Sequence, residues 1–112
     1  MDVIFKHAKL HKQLATMGNA QKDFGTIRGK LLRRRLDEFA AAASLESIRL
    51  LPAAKCHELK GNLKGKLAVN LDQPYRLVFE PYNDPLPRKP DGGLDWAQVT
   101  AVRILEITNY HD

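Results

Sequence analysis

The hydrophobic period of this 112-residue chain changes once, near Pro52, and that change limits the folds open to it. Upstream, apolar residues recur every three or four positions, the spacing of one helix face; downstream they alternate, the spacing of a strand. Leu10, Leu14 and Met17 fall at steps of four and three with Gly18-Asn19 as a stop signal, which predicts a helix near residues 6–17. Ile27, Leu31, Leu32, Leu36 and Phe39 predict a second, longer helix that starts at Gly25-Thr26 and ends in the run Ala40 to Ala43. Ser44 is placed to cap a short turn through Leu45 and Ile48 before Pro52. Only Val3 to Phe5 breaks this order, as a short first strand.

Beyond Pro52, Leu67, Val69 and Leu71 alternate with Ala68 and Asn70, as in a half-buried strand. Asp72-Gln73-Pro74 supplies turn chemistry, and Tyr75, Leu77 and Phe79 form the apolar face of a hairpin partner. Four prolines, two adjacent glycines and two aspartates between Pro81 and Gly93 predict an irregular loop. Val99 to Ile107 is apolar on both faces apart from Thr100, Arg103 and Glu106, the pattern of a strand inside a sheet. Helices followed by hairpin-linked strands predict an α+β fold, with N-terminal helices packed on one face of a small, mainly antiparallel β-sheet.

A chain of this length suits a single domain spanning 1–112. It has no apolar run long enough for a membrane span and no signal-peptide pattern at its start, so a cytoplasmic protein without membrane contact is expected. Cys56 is the only cysteine, which excludes an intramolecular disulfide and a multi-cysteine zinc site; a lone thiol is more often buried than nucleophilic. The formal net charge is +5 and unevenly spread. Residues 1–60 hold 12 Lys and Arg against 6 Asp and Glu, whereas residues 61–112 hold 6 against 7. An anionic partner fits that balance, as does a solvated basic helix face. Arg33, Arg34 and Arg35 are consecutive on a helix and point about 100° apart, so they cannot all face one ligand.

Two polar, cationic segments interrupt the apolar C-terminal half: Cys56-His57-Glu58-Leu59-Lys60-Gly61-Asn62-Leu63-Lys64-Gly65, and Asn109-Tyr110-His111-Asp112. Between them Arg76 stands in an apolar strand, where a charge needs a partner such as Glu106 or an anionic ligand. Imidazoles, a lysine, an arginine and a phenol can hold a phosphate and move protons about it near neutral pH. A phosphate-binding loop of the nucleotide type is not present, because Gly61 and Gly65 are not followed by a helix. His57 and His111 lack the spacing of a zinc protease motif, and neither metal nor cofactor is expected.

Arg34-Arg35-Leu36-Asp37, Ser44-Leu45-Glu46, His57 through Gly65, Gln73-Pro74-Tyr75-Arg76-Leu77-Val78-Phe79 and Asn109-Tyr110-His111 resemble, in order and spacing, HigB-type toxins of the RelE superfamily. These belong to bacterial type II toxin-antitoxin systems. The resemblance runs from about Arg33 to the end of the chain. It implies a RelE-like α+β fold and a ribosome-dependent endoribonuclease that cleaves messenger RNA in the A site. It also implies a cognate antitoxin, whose complex with the toxin binds operator DNA through the antitoxin. Transferred residue by residue, it implies catalytic roles for His57, Lys60, Arg76, Tyr110 and His111, with Lys64, Lys66, Arg34 and Arg35 as RNA-binding cations. The reaction implied is metal-independent attack of a 2′-hydroxyl on the adjacent phosphodiester, which leaves DNA inert. Asn109 stands where the family pattern carries an acidic residue, and the loop from Pro81 to Trp96 is longer than a tight hairpin requires. Two other readings use the same fold: a non-catalytic RNA- or ribosome-binding module, and a toxin with a protein target such as DNA gyrase.

Overall fold

In a computed structural model, which describes residues 1–109, two layers form around one sheet. The chain runs β1 (Asp2–Phe5), α1 (Ala8–Gln13), α2 (Met17–Phe24), α3 (Thr26–Ala41), α4 (Leu45–Arg49), β2 (His57–Glu58), β3 (Leu67–Asn70), β4 (Tyr75–Pro81) and β5 (Ala101–Asn109). The strand order is β1-β5-β4-β3-β2, antiparallel throughout except that β1 runs parallel to β5. The expected α+β class and mainly antiparallel sheet are present, with β5 an interior strand.

The helical half departs from its predicted boundaries. The first helix stops at Gln13, and Gly18 and Asn19, expected as a terminator, lie inside α2. The cap outweighs the weak helix formers: Thr16 Oγ1 accepts from Asn19 N at 3.0 Å, fixing a start at Met17. The break that matters is Gly25, at φ 91°, which ends α2 and begins α3. Leu32, Leu36 and Phe39 point from α3 into the core, while Ile27 stands 69% exposed and contributes nothing to it. Ser44 occupies the N-cap position of α4 without a side-chain hydrogen bond.

The helix-facing core gathers Leu14, Leu32, Leu36, Phe39, Leu45 and Ile48 against Leu67, Val69, Leu77, Phe79, Val102 and Ile104. Phe39 and Phe79 meet edge-to-face, with centroids 4.8 Å apart. β3 is buried on both faces, not half-buried as its alternation suggests. A second cluster, Leu59, Ala68, Val78 and Leu105 with Leu63 packed on it, covers the centre of the opposite sheet face. The segment after β4 is irregular up to Gly93, as its prolines predict, but it is tied to the sheet. Asn83 Oδ1 accepts from Thr100 N (3.0 Å) and Ala101 N (3.2 Å), and Leu94, Trp96 and Val99 are core residues.

Candidate functional site

Pairing register decides which polar side chains share a face. His57 lies opposite Ala68, Ala68 opposite Val78, and Val78 opposite Glu106. One row along, Asn70 lies opposite Arg76, and Arg76 opposite Thr108. Because alternate residues share a face, His57, Asn70, Arg76, Glu106 and Thr108 all stand on the face turned away from the helices. His57 and Arg76 are two strands and two residues apart, or about 12 Å between Cα atoms by sheet spacing. That separation lets an arginine and an imidazole approach one phosphodiester from two sides.

The local structure around each group follows from its neighbours. Asp72 turns the chain into β4: its carbonyl accepts from Tyr75 N at 2.8 Å, and its carboxylate takes two bonds from Arg28, Nε to Oδ1 at 3.0 Å and Nη2 to Oδ2 at 3.1 Å. The same guanidinium lies 3.4 Å from the centroid of the Tyr75 ring. The hydrogen bond that Arg28 donates to Asp72 is the main cause that raises the Arg28 pKa. A residue of α3 thus clamps the turn that ends immediately before Arg76.

His57 Nδ1 lies 2.9 Å from the carbonyl oxygen of Lys55. A carbonyl only accepts, so Nδ1 is the donor in this contact and Nε2 is the ring nitrogen left for other partners. Its neighbour Glu58 alternates to the helix side, where Oε2 accepts from Trp96 Nε1 at 3.2 Å and ties β2 to the segment before β5. After β2 the chain passes exposed Lys60 into a 3-10 turn at Gly61–Leu63, then exposed Lys64 and half-buried Lys66. Gly61 (φ 65°) and Gly65 (φ 93°) permit the reversal, and Leu59 N closes it on Lys66 O at 2.9 Å. Lys60 and Lys64 therefore rim one edge of the sheet.

The cations of α3 lie elsewhere. Arg34 is exposed on the helical layer, beside Lys30, Asp37 and Glu38 in a shallow groove of about 410 Å³, across the sheet from Arg76. Arg35, expected to touch RNA, is only 4% exposed. Its Nε donates to Asn70 O at 2.8 Å, Nη2 to Ala53 O at 3.2 Å and Nη1 to Glu38 Oε1 at 2.9 Å. Three internal acceptors consume that guanidinium, so its role is architectural. The three consecutive arginines do diverge: Arg33 reaches Leu14 O and Asp37, on a third side.

Tyr110, His111 and Asp112, the terminal part of the expected site, lie outside the described residues. Asn109, just before them, is the last residue of β5 and pairs with Tyr75. Among the described residues no group of three or more His, Cys, Asp and Glu side chains is arranged to hold a metal ion. Burial pushes the Cys56 thiol up to about 12, so it is not a thiolate near neutral pH. Asn70 and Thr108 flank Arg76, a neighbourhood that the sequence carried only as the alternation that pairs them with Arg76 across the sheet.

Residues 4–86 match a family model described as HigB-like toxin, the RelE-like toxin of type II toxin-antitoxin system HigB. The match begins inside β1, takes in every element from α1 to β4, including His57, Lys60 and Arg76, and stops before β5. No curated protein matches the chain.

Proposed function

Because the chain belongs to the HigB-like toxins of type II toxin-antitoxin systems, we propose that it arrests translation as a ribosome-dependent mRNA endoribonuclease acting at the open sheet face. The observation that carries this reading is the register that puts His57 and Arg76 on one face, beside the Lys60–Lys64 rim. In the reaction, the 2′-hydroxyl oxygen bonds to phosphorus as its proton is taken up, and the bond to the 5′-oxygen breaks as that oxygen gains a proton. The products are a 2′,3′-cyclic phosphate and a 5′-hydroxyl end. Atoms balance with no metal, oxidant or covalent enzyme adduct.

Arg76 holds the phosphate with a guanidinium fork and Lys60 adds a point charge from the rim; both stabilise the negative charge that grows on the phosphorane. His57 transfers a proton through Nε2, its Nδ1 being engaged with Lys55 O. Tyr110 and His111 complete the proton-transfer and base-stacking set implied by the family resemblance, and Lys64 and Lys66 contact the RNA backbone. The partner is a cognate antitoxin that silences the toxin by binding it; the complex reaches operator DNA through the antitoxin, and both act in the cytoplasm.

The test is induced expression of wild type beside Arg76→Ala, His57→Ala and His111→Ala, with primer extension on a reporter mRNA that is translated or kept untranslated. New 5′ ends inside the translated message only, absent in the variants, are expected. Cleavage of the untranslated message, or cleavage by Arg76→Ala, counts against the reading.

A further inference from the structure

We infer that Asn70 is a second phosphate-contacting residue, its carboxamide donating to a non-bridging oxygen of the phosphodiester that Arg76 holds. This inference rests on the nuclease reading above. Asn70 and Arg35 are the two polar residues buried below a tenth of their surface among the described residues, and they differ in one respect. The Arg35 guanidinium has three acceptors, whereas the Asn70 carboxamide makes no hydrogen bond among the described residues.

A carboxamide offers two donors and two acceptor lone pairs, and leaving them unpaired while buried is unfavourable. The residue also cannot turn away to satisfy them. Its N–H donates to Ala54 O at 2.7 Å and its carbonyl accepts from Arg35 at 2.8 Å, so its backbone is fixed from both sides. Register sets it directly opposite Arg76, at cross-strand contact distance, with Thr108 on the far side of the arginine. A neutral donor fixed beside a guanidinium suits a tetrahedral anion: it orients one oxygen without adding charge that would tighten product release.

Two variants separate contact from structure. Asn70→Ala removes the donor, and Asn70→Asp keeps the shape while presenting a carboxylate to the phosphate. On ribosomes programmed with a 2′-O-methyl message that cannot be cut, Asn70→Ala should bind roughly 10-fold more weakly, and Asn70→Asp more weakly still. On a cleavable message Asn70→Ala should cut roughly 10- to 100-fold more slowly. A single-diastereomer phosphorothioate at the cut site should slow wild type, and that sulfur effect should vanish in Asn70→Ala. Urea unfolding of each variant gives the folded fraction by which rates and binding are corrected. Unchanged binding and an unchanged sulfur effect after that correction would overturn the inference. If wild type binds but does not cut, the nuclease reading fails, and weakened binding by Asn70→Ala still supports the contact.

Discussion

Arg35 Nε donates to the carbonyl oxygen of Asn70 at 2.8 Å, so a guanidinium in the middle of α3 holds the last residue of β3 from the helix side of the sheet. The open sheet face is thereby anchored from the helical layer behind it.

Arg35→Ala should destabilise the fold by about 2–4 kcal/mol, since it leaves two carbonyls and a carboxylate without their donor. Its exposed neighbour, Arg34→Ala, should cost less than about 0.5 kcal/mol. Urea denaturation of both variants checks this, and equal costs would contradict the assignment of Arg35 as architectural.

Where α2 crosses α3, Gly29 meets backbone: a Cβ added there would lie 2.5 Å from Gln21 N and 2.6 Å from Ala20 O. Gly29→Ala, normally helix-favouring, should instead cost about 1–3 kcal/mol because the two helices must part. Thermal unfolding beside Gly18→Ala, whose Cβ meets nothing closer than 3.9 Å, reads the contrast.

The Arg28–Asp72 clamp should matter more for rate than for stability. Its side chains are about a quarter exposed, so Arg28→Ala should cost only about 1 kcal/mol of folding free energy. By loosening the turn before Arg76 it should slow mRNA cleavage roughly tenfold. Single-turnover kinetics with the folded fraction measured in parallel would decide; a rate loss no larger than the loss of folded protein would leave the clamp without a positioning role.

Cys56 should resist alkylation at pH 8 by roughly 100-fold or more relative to a peptide thiol, given its pKa of about 12. Burial raises the folded value above the unfolded one, so the folded state holds the proton longer. The resulting stability is complete below the unfolded thiol pKa and is lost as pH rises toward about 12. Cys56→Ala should flatten that alkaline decline in a series of urea melts.

The fold class was legible because the period changes from helical to alternating near Pro52, and a long apolar β5 could only be an interior strand. Boundaries in the helical half were not, since Gly18 and Asn19 look like a stop until the Thr16 cap is seen to outweigh them. Gly29, which fixes the α2–α3 approach, has no local sequence signature, as its reason lies on another helix. In the candidate site, His57, Lys60 and Arg76 could be named from motif spacing, yet the shared face of His57 and Arg76 rests on register. Arg35 was carried over as an RNA-binding cation from the motif alone, and only the fold shows its guanidinium meeting the carbonyls of Ala53 and Asn70.

The parallel pairing of residues 2–5 with residues 101–104 has a consequence for biosynthesis. β5 fills the gap between β1 and β4, yet it is the last element in chain order, so a nascent chain has its first and fourth strands without the one that joins them. The row of Asn70, Arg76 and Thr108 cannot close until β5 docks beside β4. Long-range closure of this kind comes late in folding. The sheet is therefore joined last through β5, and the face that carries Arg76 is complete only once residues 2–5 and 75–81 share that strand.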